Sequence, residues 1–220
     1  MQPVDKRKVE FEQSKKKRME YIVEKAAEIF CAQGIDNTKV TDIAKAADVG
    51  VASVYRYFKT KSDIVIQVGI KFWTNIRAEF VRKIEEDDFI NQNGLEQFKD
   101  LGNIFFKLYN DYPQFLKYLH DFDSYIVKEK IEKDRLKEYE ENILFIKELV
   151  VKYIEKGQAD GSIKDSIDAE ELYFTTTHTL MSLVQKLSLS GSVLESDIRI
   201  SGEKQIKMIS NMILEYIRNN

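Results

Sequence analysis

The stretch TKVTDIAKAADVGVASVYRYFKTK, Thr38 to Lys61, decides the fold. Thr38 is placed to cap a short helix, with Thr41 three residues on and Asp42 in the first turn, where negative charge suits the helix dipole. Val40, Ile43, Ala44 and Ala47 fall at helical spacing and give that helix one apolar face. Ala44 and Ala47 are small enough to admit a close neighbour. Asp48-Val49-Gly50 then interrupts the pattern. Val49 reads as the buried pin of a turn, and Gly50 as the residue free to take backbone conformations that others resist. From Val51 a second short helix carries Val54 and Phe58 inward. It leaves Val51, Ala52, Ser53, Tyr55, Arg56 and Tyr57 for other faces, with Tyr55 and Tyr57 partly packed. Two short helices at a steep angle, the second with an exposed polar N-terminal half, form a helix-turn-helix. Such a motif sets its second helix in a DNA major groove.

These residues resemble the DNA-binding motif of TetR-type transcriptional repressors. The resemblance rests on Thr38, Ile43-Ala44, Ala47-Asp48-Val49 and the run Tyr55-Arg56-Tyr57-Phe58-Lys59-Thr60-Lys61. Asp48 stands where that family more often has Gly. The resemblance implies a homodimer that holds double-stranded DNA and a small, partly apolar effector; no motif for a cofactor and no ligand set for a metal is seen in the sequence. It also implies contacts to phosphates or base edges from Thr41, Ser53 and Tyr57, with Thr38 at the motif's entrance. Val51 and Ala52 lie at the leading end of the reading helix, where small apolar side chains meet thymine methyl groups; no Arg stands there to grip guanine. Tyr55 is balanced between DNA contact and packing beneath the motif, and Arg56 between phosphate and the body of the domain. Lys61 opens the next helix, where backbone N–H groups also attract phosphate.

The rest of the chain is consistent with a helical body. Of 220 residues, 43% are hydrophobic and 32% charged, with only two prolines and nine glycines, which favours long uninterrupted helices. The lone Cys31 rules out an internal disulfide and fits a reducing cytoplasm; it reads as a packing residue. No apolar run approaches the roughly 20 residues of a membrane span. The N-terminal MQPVDKRKVEFEQSKKKR is basic without an apolar segment behind it, so a cytoplasmic protein is expected. Net charge is −3, unevenly spread: residues 1–61 hold 13 Lys/Arg against 9 Asp/Glu, a balance of +4 that leaves −7 for residues 62–220. An acidic body with a basic N-terminal part suits a protein that presents one end to phosphate.

Read in order, residues 1–14 are expected to form a mobile basic arm. Residues 15–63 form the helix-turn-helix domain, its motif at 39–58, and residues 64–220 a larger helical effector-binding and dimerisation domain. The whole is an all-α chain of nine helices. Lys6-Arg7-Lys8 and Lys15-Lys16-Lys17-Arg18 are either a solvated helix entrance or additional contacts to phosphates or a minor groove. Helix 1 is expected over 14–33, stopped by Gly34; helix 4 from a Thr60–Asp63 capping box to Glu86; then helices over 95–112, a short one around Phe115–Phe122, and 124–156 ended by Gly157. Asp160-Gly161-Ser162 is a turn, Asp168 with Glu171 caps a helix over 169–190, and the last helix covers 202–218.

Catalysis has little to stand on. His120 and His178 share no helical face with a second ligand, and no nucleophile elbow, phosphate loop or dinucleotide fingerprint is present, so an enzyme is not expected. The aromatic residues of the middle helices serve a core that can also enclose an apolar cavity. Trp73, Tyr109, His120 and His178 are candidates to line an effector pocket there. On the last helix Ile206, Ile209 and Ile213 repeat like a coiled-coil seam, widened by Met208, Met212 and Ile217. Leu180, Leu183 and Leu187 give the preceding helix a similar excess, which points to a four-helix interface with a second copy. The function expected is a DNA-binding regulator, a repressor released from a pseudo-palindromic operator by a small molecule. The alternative is a DNA-binding protein whose body serves only dimerisation or a protein partner.

Overall fold

The structure, a computed structural model, describes residues 6–190 and 195–219. Among them the chain is all-α, with one isolated antiparallel bridge between Ile163 and Arg218. Twelve helices follow in order: α1 Lys6–Gln33, α2 Val40–Ala46, α3 Val51–Tyr57, α4 Lys61–Ile84, α5 Asp87–Ile90, α6 Gly94–Gly102, α7 Ile104–Asp111, α8 Pro113–Lys128, α9 Lys137–Ala159, α10 Ala169–Ser190, α11 Glu195–Ile198 and α12 Gly202–Ile217. A 3-10 turn, Lys133–Leu136, precedes α9. Two of the twelve, α5 and α11, are single turns, and the excess over the expected nine comes from them and from one expected helix that splits. No helix among the described residues is long and apolar enough to cross a membrane.

The helices assemble into two compact units. The first takes the residues up to Phe72 together with Asp121–Tyr139; the second takes Trp73–His120 and the residues from Glu140 on. The border expected at residue 63 falls inside α4, an unbroken helix, and the first unit also recruits a segment from the middle of the chain.

In the first unit α1 begins at Lys6, so residues 6–14 are helical rather than the expected arm; residues 1–5 of that arm lie outside the described residues. Ile22, Ala26 and Phe30 of α1 are buried with Ile35, Ile43 of α2, Val54 of α3, Phe58 and Ile64. Gly34 stops α1 at φ +86°, with its N–H on the Phe30 carbonyl at 2.9 Å. The capping box of α4 is as expected: Asp63 accepts the Thr60 N–H at 2.8 Å, and Thr60 Oγ1 accepts the Asp63 N–H at 3.2 Å.

Two expectations in the motif change. Lys39, not Thr38, is the N-cap of α2, and its N–H donates to the Asp42 carboxylate at 2.8 Å. The left-handed residue of the turn is Asp48, at φ +49°, whereas Gly50 sits at φ −68° as the extended N-cap of α3. Val49 is only half-buried.

The segment 121–139 closes the first unit. Phe122 stacks on Tyr139 with centroids 4.6 Å apart. Lys128 pairs with Asp36 at 2.9 Å, and Arg135 donates to Asp63 at 2.8 Å and to Thr60 Oγ1 at 3.1 Å. Burial pushes the Asp63 carboxyl up, but the Arg135 and Thr60 hydrogen bonds outweigh it and hold it below the usual range. The expected helix over 124–156 therefore starts later, as α9, and its first turns belong to α8. The end of α8 and the start of α9 flank a bend at Lys130, φ +50°, and the 3-10 turn.

In the second unit the helix expected over 95–112 breaks at Asn103 into α6 and α7. Asn93 caps α6 by accepting the Glu96 N–H at 2.9 Å. Gly94 lies so near Gly157 that a Cβ on it would run into the Gly157 backbone. Gly157 is thus a packing residue inside α9, which ends at Ala159. The close approach lets the turn after α9 serve α6: the Asp160 carboxylate accepts the Gly94 N–H at 2.7 Å and Ser162 Oγ the Leu95 N–H at 3.1 Å. Asp168 caps α10 by accepting the Glu171 N–H at 2.8 Å, as expected. On α4, Glu79 receives Arg82 and Lys107, each at 2.7 Å, and the Tyr112 hydroxyl at 3.3 Å. The Arg82 and Lys107 hydrogen bonds bring its pKa down to about 2.

Candidate nucleic-acid interface and ligand cavity

The motif's two short helices hold together through small and branched residues, and what they leave outside forms a surface. Ile43, Ala44 and Ala47 of α2 are buried, with Val54 and Phe58 on either end of α3's inward face. Helical spacing then forces Val51, Ala52, Tyr55 and Arg56 outward: all four are exposed, Tyr55 by half. Tyr55 is therefore not packed beneath the motif. Ser53 and Tyr57 are half-buried, and the Arg56 guanidinium lies 5.2 Å from the Tyr57 ring centroid. Thr41 is exposed on α2.

Thr38 and Lys61 behave differently from expectation. The Thr38 side chain is buried, 1% exposed, and its hydroxyl donates to the Gly34 carbonyl at 2.8 Å and accepts from Gln33 at 3.3 Å. It fastens the loop after α1 and offers no surface contact. The half-buried Lys61 ammonium reaches the Asp36 carbonyl at 3.4 Å and lies 5.6 Å from the Tyr125 ring centroid. Burial lowers its pKa. Beside it the Ser62 and Tyr125 hydroxyls are 3.0 Å apart.

The second unit holds a cavity of about 460 Å³, within the range of small-molecule sites. α4 contributes Trp73, Ile76 and Phe80; α6 and α7 contribute Phe98, Leu101 and the run Ile104–Phe106; α9 adds Ile143, Ile146 and Val150. α10 supplies Tyr173, Thr176, Thr177 and Met181, and α12 supplies Lys207, Ser210 and Asn211. Trp73 is buried and meets Phe115 edge-on at 5.4 Å. The charged groups in the wall are Lys99 and Lys207, both exposed, with no carboxylate among the lining residues.

Of the four pocket candidates only Trp73 lines this cavity. Tyr109 lies under the start of α12, where its ring takes the space a Cβ on Gly202 would need. His120 and His178 are exposed, the latter 5.9 Å from Phe174. Lys99, Lys207 and Asn211 were not legible, because each lies on a helix whose neighbours only the tertiary fold selects. No group of three or more His, Cys, Asp or Glu able to hold a metal occurs among the described residues.

The expected dimer seam divides in two. Leu180 and Ile206, at 2% and 0% exposure, belong to the core of the second unit and are corrected to packing residues. Leu183, Leu187, Ile209 and Ile213 are half-buried. The exposed apolar residues nearby are Met208, Met212 and Tyr216 on α12 with Phe174 and Leu189 on α10.

Comparison with known proteins places these features in context. Residues 22–68 match the model of the bacterial regulatory proteins of the tetR family. A fatty acid metabolism regulator protein of Bacillus subtilis (strain 168) is 35% identical over 75 residues, 33% of this chain and 37% of that regulator's length. The structure of the regulator FadR from Bacillus subtilis in complex with stearoyl-CoA is similar over 88% of this chain and 96% of that one, with 18% identity and a TM-score of 0.65. A Saccharomonospora viridis structure in complex with choline is similar over 93% and 100%, also 18% identical, with a TM-score of 0.66. Both structures share the fold.

Proposed function

We propose, from the premise that the chain is a TetR-type regulator, that it binds a pseudo-palindromic DNA operator as a homodimer and releases it when a small molecule enters the second unit. The observation that carries the reading is α3. Val54 and Phe58 anchor it while Val51, Ala52 and Tyr55 stand exposed along its outer side. Ser53, Tyr57 and Thr41 would contact phosphate or base edges, and Val51 and Ala52 would meet thymine methyl groups. Lys61 gives part of its charge to Asp36 and Tyr125, so its phosphate contact would be weaker than that of a free lysine. Exposed Met208, Met212 and Tyr216 support a second copy on α12. The reading places the protein in the cytoplasm, with DNA.

The effector in this reading is an amphipathic anion. An aromatic and aliphatic wall favours an apolar body, and two exposed lysines without a carboxylate favour a negative head over a cation such as choline. A ligand that favours a state with altered head spacing would weaken DNA binding, with α4 and α9 as levers: both line the cavity and both continue into the first unit.

Trp73 is the chain's one tryptophan and stands in the cavity wall, so its fluorescence reports occupancy. Oleate or stearoyl-CoA should shift that emission while choline does not, and should weaken binding to a selected duplex by about 5–150-fold. Saturation of Trp73 with unchanged DNA affinity would instead indicate a DNA-binding protein without effector control.

A further inference from the structure

From Val9 to Arg18, α1 packs on nothing. Every described side chain from Val9 to Arg18 is exposed, and the first buried one is Ile22, which is also where the match to the tetR-family domain begins. Residues 6–21 are thus the stretch of α1 that precedes the matched residues, about 24 Å long at ~1.5 Å per residue. A helical stretch whose side chains stand exposed from Val9 to Arg18 is marginal in water and gains from a partner.

Its chemistry names the partner. The stretch holds seven Lys/Arg against three Glu, and Lys15, Lys16, Lys17 and Arg18 are consecutive. Neighbouring residues on a helix project about 100° apart, so these four cover its circumference and some face any surface laid alongside. The Lys16–Glu20 pair is long, 3.9 Å, between side chains 79% and 62% exposed, and leaves the cation free to change partners. A helix about 10–12 Å across does not enter a minor groove about 6 Å wide, and with α3 in the major groove, lysine and arginine heads on a helix lying outside it meet the sugar–phosphate backbone.

We propose that this basic helix is a second DNA contact, in which the two or so of Lys15, Lys16, Lys17 and Arg18 that face the duplex in each subunit hold phosphates outside the half-site read by α3. The proposal rests on the DNA-binding reading above and extends the footprint without adding sequence information.

The test uses the full chain and its variant Lys15→Gln/Lys16→Gln/Lys17→Gln/Arg18→Gln, in which glutamine keeps helix propensity. Affinity for a selected duplex is measured against salt concentration and the footprint is mapped with hydroxyl radicals. The variant should bind at least tenfold more weakly at low salt. Its slope of log affinity against log salt should be shallower by about three to four, for two phosphates per subunit and so four per dimer at roughly 0.9 each, and it should lose protection at the outer edges of the footprint. Base preference should not change. Equal slopes and footprints would overturn the proposal while leaving α3's role intact. So would binding of the wild type to phosphatidylglycerol vesicles that the variant loses with its DNA slope unaltered. A wild type that binds no duplex would overturn both this proposal and the reading beneath it.

Discussion

At Asp48 the backbone turns into the left-handed region, φ +49°, on an exposed side chain that makes no call on a larger residue. Non-glycine residues hold this conformation at a cost of about 1–2 kcal/mol, somewhat less for Asp. Asp48→Gly should therefore raise unfolding stability by about 0.5–1 kcal/mol, read from denaturant melts, without changing DNA affinity. The sequence placed the turn correctly but gave its conformational freedom to Gly50. Three turn residues in a row do not reveal which one takes positive φ, and Asp tolerates that region well enough to stand in for Gly. Thr38 and Lys39 pose the same ambiguity. A hydroxyl just ahead of an apolar pattern reads as a cap, yet here it bonds back to Gly34 and the cap moves one residue on. Val54 and Phe58 were legible because helical spacing alone sets them inward.

Among the elements, α4 carries the clearest electrostatic signature. Glu79 has its pKa lowered from 4.5 to about 2 by Arg82 and Lys107. A carboxyl whose folded pKa is depressed stabilises the fold above its unfolded value and loses that contribution as pH falls through the folded one. Glu79→Gln should thus cost about 1–2 kcal/mol at pH 7, discounted for the exposure of Arg82, and the difference from wild type should vanish between pH 4.5 and about 2. Thermal melts of both proteins across that window check it. Helix caps read well at this scale: Thr60 with Asp63, and Asp168 at α10, both sit where the residue pattern put them. Breaks read poorly. The polar run from Glu129 to Leu136 keeps helix-forming residues throughout, so only the pull of Arg135 toward Asp63 and Thr60 distinguishes the turn there from a continuous helix. At Asn103 the apolar stripe simply continues, and the separation of α6 from α7 left no mark in the pattern.

For the molecule as a whole, the all-α class and the N-terminal motif follow from composition and spacing, whereas the two units and the cavity arise from returns of the chain that no local pattern encodes. Trp73 was the one pocket residue foreseen, and the two lysines of the cavity wall came only with the fold. In the function we propose, α3 reads DNA for a twofold-symmetric protein. Selection of bound sequences from a random duplex pool tests it most directly, run beside Ser53→Ala/Tyr57→Ala, which leaves the buried Val54 and Phe58 in place. The wild type should enrich an inverted repeat with half-site centres about 34–36 Å apart, and the variant should fail to enrich it. A wild-type pool that stays random, or a variant that recovers the same repeat with equal affinity, would contradict the account.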